Sequence, residues 1–195
     1  DSKSALIRSN GFKLVLLRKY DKRLEALFKK IKPKYPITVA RTREYLNWRY
    51  FKHPLIAYSV FVAERNGELE SFAVVRLEGP ANFRAGRIID FMSTTRAEAF
   101  TFAGILDFCR RQRAQFADYY FSGNFHAKSL QRLGFADCSR QPYALLPKLL
   151  NPVVAARENN INFVIKVNDS LKNKNIKAIK NWYTTKGGGD QDRAY

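Results

Sequence analysis

The chain has 195 residues, 46% of them hydrophobic and 14% aromatic, which is enough to bury a full core in one domain with attachments rather than in two domains. Its longest apolar run near the start, residues 14–17, falls far short of the ~20 residues that a membrane-spanning helix needs. With nothing resembling a secretory leader either, a cytoplasmic protein without a transmembrane segment is expected. The net charge of +18 is uneven: residues 1–50 carry 14 Lys and Arg against 4 Asp and Glu, whereas residues 51–100 carry 6 against 6. A basic segment of this kind suits nucleic acid, an anionic surface or a phosphate-rich cofactor, or is a solvated helix face; nucleic acid is not favoured, because no nucleic-acid motif accompanies the charge.

In chain order, Asp1 in place of a Met suggests an excised or processed chain, and residues 1–20 read as a linker or N-terminal extension, with 12–17 a short strand or connector. From Asp21, an N-cap by type, Leu24, Leu27, Phe28 and Ile31 recur at helical spacing until Pro33 ends the element. Residues 36–40 are extended. Thr42 then caps a second helix bearing Tyr45, Trp48 and Phe51, which stops at His53-Pro54. These leading helices (21–54) belong with a main domain at 21–168. Apolar stretches at 57–63 and 68–77 flank Arg65-Asn66-Gly67 and predict a hairpin with an Asn-Gly turn. Residues 86–92 give a third strand. Residues 97–113 give a long helix with Ala99, Phe102, Ala103, Leu106 and Cys109 inward, and with Arg110, Arg111 and Arg113 complementing the dipole of its last turn.

The segment 116–135 is the most informative. Residues 117–121 form an aromatic run suited to a strand, Gly123 supplies a turn, and Asn124 is placed to cap a short helix. In that helix Ala127, Leu130 and Leu133 face in while Lys128, Gln131 and Arg132 face out, and Gly134 stops it before a strand at 135–138. Further strands are expected at 143–146 and 162–167, followed by a tail, 169–195, with Gly187-Gly188-Gly189 and a possible final strand.

Few side chains point to chemistry. Cys109 and Cys138 read as reduced core thiols. His126, expected on the exposed side of its helix, and His53 lack partners at ligand spacing, so no metal is expected. Asp90, alone in an apolar strand, reads either as a general base or as a carboxylate paired with an Arg. Trp48 and its neighbours read as core in preference to a sugar-stacking platform. Ser122-Gly123 lacks the flanks of a nucleophile elbow.

The strand–turn–helix order with Asn124 and Ala127 before Leu133-Gly134-Phe135 resembles the closing βαβ segment of the GNAT acyltransferases, and the resemblance extends over roughly residues 58–167. It implies an α+β fold: a mixed, mostly antiparallel central sheet with helices on both faces, in which parallel strands beginning near Gly86 and Ala117 splay apart and leave a slot beneath the long helix. It also implies acetyl-CoA or another acyl-CoA as cofactor and a small amine or amino-sugar acceptor. Family members cradle the pyrophosphate on a glycine-rich turn that opens the long helix. The matching residues here, Ser93-Thr94-Thr95-Arg96-Ala97-Glu98-Ala99-Phe100, contain no glycine, and Glu98 brings a negative charge. The cofactor-binding candidates are accordingly Met92, Ser93, Thr94, Thr95, Arg96 and Asn124, with Asp90 the candidate base. The family's thiolate-protonating Tyr aligns with Leu130, or with Gln131 when counted from Asn124, leaving Tyr119 and Tyr120 as substitutes. The two leading helices, with residues 45–50 (YLNWRY), resemble those in the second halves of tandem GNAT-like proteins, which implies a companion domain.

Three readings follow. The first is a GNAT-like domain with a degenerate cofactor site and a scaffolding or acceptor-binding role in a tandem N-acyltransferase. The second is an active acyl-CoA N-acyltransferase with an atypical phosphate loop. The third is a basic nucleic-acid or anionic-surface binding module.

Overall fold

The computed structural model describes residues 5–79, 83–138, 176 and 178–188. The chain opens on a hairpin, β1 (Ala5–Ser9) and β2 (Phe12–Leu17), joined by Asn10 and Gly11 at φ 51° and 77°. Positive φ at both central residues is the twist that a two-residue hairpin requires. The strand expected at 12–17 is β2, and residues 5–9, expected in a linker or N-terminal extension, form β1 at the outer edge of the sheet; Leu14 and Val15 are buried on opposite faces. Helix α1 (Arg23–Ile31) follows, its Arg23 amide donating to Asp21 Oδ1 at 3.0 Å, and gives way at Pro33 to a 3₁₀ turn, Lys32–Lys34. The two-residue strand β3 (Ile37–Thr38) precedes α2 (Arg43–Leu46), whose Thr42 hydroxyl accepts from the Tyr45 amide; a π-helical turn, Asn47–Phe51, continues it.

The predicted hairpin forms as β4 (Ser59–Arg65) and β5 (Glu68–Glu78) about Asn66 and Gly67 at φ 52° and 82°. Then come β6 (Ala85–Ser93), α3 (Thr95–Arg111), β7 (Phe116–Tyr119), α4 (Ala127–Arg132) and, near the end, β8 (Trp182–Tyr183). Six strands form one sheet in the order β1-β2-β4-β5-β6-β7, antiparallel throughout except for the parallel pair β6–β7; β3 and β8 pair separately and in parallel. This is the α+β arrangement that the acyltransferase resemblance implied.

Alternation along the central strands explains the two cores. Val60, Val62, Phe72 and Val74 meet Leu24, Leu27 and Leu46 on one face, while Phe61, Ala73, Val75 and Ile88 meet Phe102, Ile105 and Cys109 of α3 on the other. Covered on both faces, these strands carry the near-continuous apolar runs seen in the sequence. The buried stripe of α3 is Ala97, Thr101, Phe102, Ile105 and Cys109, turned from the expected one: Ala99 and Ala103 are exposed, and Glu98 is inside. The stretch 135–138 is not a strand, and the strands expected at 143–146 and 162–167 lie outside the described residues.

Where α3 crosses β6, Gly86 permits the approach: a Cβ built there would overlap Cys109 Sγ and lie 3.1 Å from its Cβ. Gly86→Ala is therefore expected to cost about 2 kcal/mol through overpacking, and Cys109→Ala in the same chain to recover part of it; urea unfolding of the single and double variants measures both.

Candidate functional site

The parallel pairing of β6 and β7 covers only Ala85–Ile88 against Phe116–Tyr119. Opposite β5 the register shifts, Val74 facing Asp90 and Val75 facing Ile88, so a bulge lies in β6 where the two strands part. Beyond it β6 runs on to Ser93 with no β7 partner, so the strands part and leave a slot between them, the splay that the resemblance implied.

The chain itself occupies this slot. The segment from Trp182 to Gly188 threads between β3 and the end of β7: Ile37 and Thr38 pair with Trp182 and Tyr183, and Phe121 bridges Thr185. The Ser122 amide donates to the Thr184 carbonyl at 3.0 Å, and the Thr184 amide donates back to Ser122 Oγ at 2.9 Å. Tyr183 is fully buried, stacked on Tyr35 with ring centroids 4.5 Å apart. Its hydroxyl donates to the Phe91 carbonyl on the splayed part of β6, touches Tyr119 Oη, and lies 3.0 Å from His126 Nε2. Burial raises the Tyr183 phenol well above its ordinary range.

Asp90 lies at the floor of the slot. Arg41 grips it in a two-pronged pair, Nη2 to Oδ1 at 2.7 Å and Nε to Oδ2 at 2.9 Å. Tyr50 Oη and Thr185 Oγ1 also donate to this carboxylate, as does the Phe91 amide at 2.9 Å. Five donors saturate its lone pairs. Of the two sequence readings, the Arg-paired carboxylate describes this geometry, and none of its lone pairs is left to take a substrate proton.

At the opening of α3 a carboxylate stands where the resemblance places a phosphate. Glu70 is fully buried and draws Lys30 Nζ at 3.0 Å, Thr94 Oγ1 at 2.9 Å and the Arg96 guanidinium, and its carbonyl takes the Thr94 amide. Burial alone would raise its carboxyl, but Arg96, Lys30 and Thr94 outweigh that and hold it at about 2. Arg96 and Thr94, both cofactor candidates, are thus committed to an acid of the same chain. One turn on, Glu98 points inward to Lys34 Nζ at 2.6 Å and His126 Nδ1 at 3.1 Å. Against burial, His126 and Lys34 hold the Glu98 carboxyl at about 2, while burial pushes the imidazole below its usual range.

Other candidates are placed differently from their expectations. His126 is buried at 1% exposure among Phe91, Phe102 and Tyr183, because α4 begins at Ala127 and leaves the imidazole at its N-cap, pointing into the core. Asn124 is exposed and caps nothing. Met92 and Ser93 are buried; Ser93 Oγ donates to the Thr94 carbonyl and its amide to Tyr35 Oη. Thr95 is exposed on the first turn of α3. Leu130, at the position of the family's acid, packs into the α3-side core, and Trp48 is 67% exposed. Glu70, Arg41 and Tyr183 escaped the sequence reading; a charged residue within the apolar run 68–77 was the one local sign of Glu70. Among the described residues no His, Cys, Asp and Glu set gathers to hold a metal, and no helix is long and apolar enough to cross a membrane.

No protein-family model and no curated protein sequence matches this chain. Among solved structures it is similar to glucosamine-6-phosphate N-acetyltransferase from Arabidopsis thaliana, with 17% identity, a TM-score of 0.48, and coverage of 67% of this chain and 95% of that one. It is also similar to the aminoglycoside acetyltransferase meta-AAC0020 from an uncultured soil metagenomic sample, at 14% identity and a TM-score of 0.47 over 82% and 98% of the two chains. A third similarity is to a ribosomal-protein-alanine N-acetyltransferase from Brucella melitensis biovar Abortus 2308, at 13% and 0.44 over 81% and 100%.

Asp90→Asn leaves the buried Arg41 guanidinium without its counter-charge and is expected to cost about 3 kcal/mol in chemical denaturation. For Glu70→Gln a loss of about 2 kcal/mol is expected at neutral pH. Because the folded carboxyl sits below its unfolded value, this contribution is complete above about pH 4.5 and fades as pH falls toward 2. Thermal melts of both chains should converge over that interval.

Proposed function

We propose that this chain is a GNAT-like acyltransferase domain that uses no cofactor of its own and serves a companion acyltransferase domain, as scaffold or as part of the surface that holds a small amine or amino-sugar acceptor. One observation carries the reading: the chain fills, with its own groups, both places that the resemblance assigns to acyl-CoA. Tyr183 occupies the strand slot, and Glu70 takes the cations and the hydroxyl at the start of α3. The residues do not fit the cofactor. A pyrophosphate at the helix opening would meet the carboxylates of Glu70 and Glu98, without a glycine to admit it closely. Leu130 carries no proton to give a departing thiolate, and the donors around Asp90 leave it no capacity as a base.

The alternatives draw less support. An active enzyme would need Asp90 and Arg96 free of the partners they hold. For a nucleic-acid module the N-terminal cations Arg8, Arg18, Lys19, Lys22, Lys29, Lys32 and Arg43 are exposed, while Lys13, Arg23, Lys30 and Lys34 engage Glu64, Glu68, Glu70 and Glu98, and no nucleic-acid motif accompanies the charge. Free Cys109 and Cys138 suit a cytoplasmic setting, the former a thiol that burial pushes up to about 11.

Thermal melting with about 1 mM acetyl-CoA tests the reading. A shift below about 1 °C is expected, since a ligand at a hundred times its Kd would add about 2.7 kcal/mol and move the midpoint by several degrees. A shift of that size that Arg96→Ala abolishes would overturn it.

A further inference from the structure

The end of α3 far from the slot carries positive charge that the fold does not use. Its last turn holds Arg110 and Arg111, both exposed and both paired with the one carboxylate of Asp107, and exposed Arg113 follows just beyond. Arg84, just before β6, joins them: its Nη1 donates to the Gln112 carbonyl at 3.2 Å, and its own carbonyl accepts from the Gln115 amide at 2.9 Å. Among the described residues these four guanidiniums meet a single acid, while the acids of the adjoining strands, Glu78 and Asp118, are held by Arg87. Beside them the ring of Phe83 is 42% exposed and rests on Phe116, the first residue of β7, with centroids 6.0 Å apart.

Two features set this cluster apart from a solvated helix end. Arg113 stands at φ 59°, in the left-handed region, at the position after the C-cap where glycine is usual. The bonds around it are those of a Schellman turn: the Ala114 amide donates to the Cys109 carbonyl at 3.0 Å and the Arg113 amide to the Arg110 carbonyl at 2.9 Å. The turn thus calls for a left-handed residue, and the chain sets there a long side chain with a backbone cost and no acid partner among the described residues. The second feature is the kind of cation. Between Lys52 and Lys128 every Lys or Arg of the sequence is Arg. A helix dipole is served equally by Lys, whereas a planar fork grips a carboxylate with two prongs, and Arg and aromatic residues rather than Lys are enriched where proteins meet. Backbone strain kept for an Arg without a partner, beside a half-exposed ring, describes a surface shaped for something outside this chain.

We propose that this end of α3 is the face on which the companion domain docks, and that the companion meets it with carboxylates set around an apolar side chain that seats on Phe83. The inference rests on the reading above that the chain serves a companion acyltransferase domain, and it gives that service a place. With 17 residues in α3, the docking face lies about 25 Å from the opening of the helix, so a partner seated there leaves the strand that closes the slot undisturbed. A nucleic-acid strand calls for cations that track along a groove, whereas these gather about one ring.

The test uses the full chain and, as probe, a fluorescent peptide of Glu-Glu-Leu repeats about 12 residues long. Arg110→Gln, Arg111→Gln and Arg113→Gly together should weaken its binding about tenfold or more, and Phe83→Ala about threefold. Lys22→Gln, Lys29→Gln and Lys32→Gln, which remove the same charge from the exposed side of α1, should leave it within about twofold. An equal loss in the two triple variants reduces the effect to net charge and overturns the proposal, as does absence of binding by the wild-type chain. Arg113→Gly alone should raise the thermal midpoint by about 2 °C while weakening the peptide about threefold. A fall in the midpoint assigns Arg113 to the fold and overturns the proposal. Should single-stranded oligothymidylate of equal charge bind more tightly than the peptide and suffer the same loss in the triple Arg variant, the face reads nucleic acid and the proposal falls. Failure of the peptide tests removes the docking face alone; a several-degree shift with acetyl-CoA in the wild type and the triple Arg variant alike removes the function proposed above, and the companion as occupant with it.

Discussion

Two parallel strands that pair for four residues and then diverge leave a length of backbone without a neighbour, and the rest of this structure answers to that. From Ile89 to Ser93 one edge of β6 faces the gap beside apolar side chains, and a buried carbonyl without a partner costs on the order of a lost hydrogen bond. The Phe91 carbonyl finds a phenol, Tyr183, brought in on a strand from the end of the chain. That strand needs partners in turn, and β3 and the Phe121–Thr185 bridge supply them. The aromatic cluster of Tyr35, Phe125, His126 and Tyr183 is the packing that results.

Charge is handled by the same logic of local satisfaction. The net excess of positive charge suggests a protein reaching for an anion, yet several of its cations are held by acids of the same chain. Arg41 is nearly inaccessible and closes on Asp90; Lys30 and Arg96 share Glu70; Lys34 pairs with Glu98. Buried acids of this kind cost desolvation that only close, multiple donors offset, and each has them. With 35 Lys and Arg against 17 Asp and Glu, this pairing leaves the excess of +18 in place and concentrates it on the cations that hold no acid.

How much of this the sequence disclosed depends on the range of the information. The β4–β5 hairpin, β6, the long helix and the β7–turn–α4 segment were legible because their signals are local: an Asn-Gly turn, alternation, a helical stripe, a terminating glycine. The strand at 12–17 was read from its apolar run, while β1 was missed although Asn10-Gly11 carries the same turn signal as Asn66-Gly67. Side-chain roles depended on partners far along the chain. Asp90 meets Arg41 across 49 positions and Thr185 across 95, and no spacing rule links them. His126 was misplaced because α4 starts later than the capping pattern suggests, which turns the imidazole from solvent to core.

The departures from the acyltransferase pattern look unrelated in the sequence and lie close together in the structure. In the function proposed above, position 130 borders no reacting thioester; it is part of the α3-side core, where a leucine packs and a phenol would need a partner. With no pyrophosphate to bind in that reading, glycines at the start of α3 would have no close approach to permit, and residues with Cβ atoms favour the helix. An acid at position 98, repulsive beside a phosphate, instead ties Lys34 and His126 to α3 and so fixes the ring against which Tyr183 rests. In the function proposed above, Leu130, the glycine-free opening of α3 and Glu98 thus share one physical setting, a slot closed by the chain's own strand.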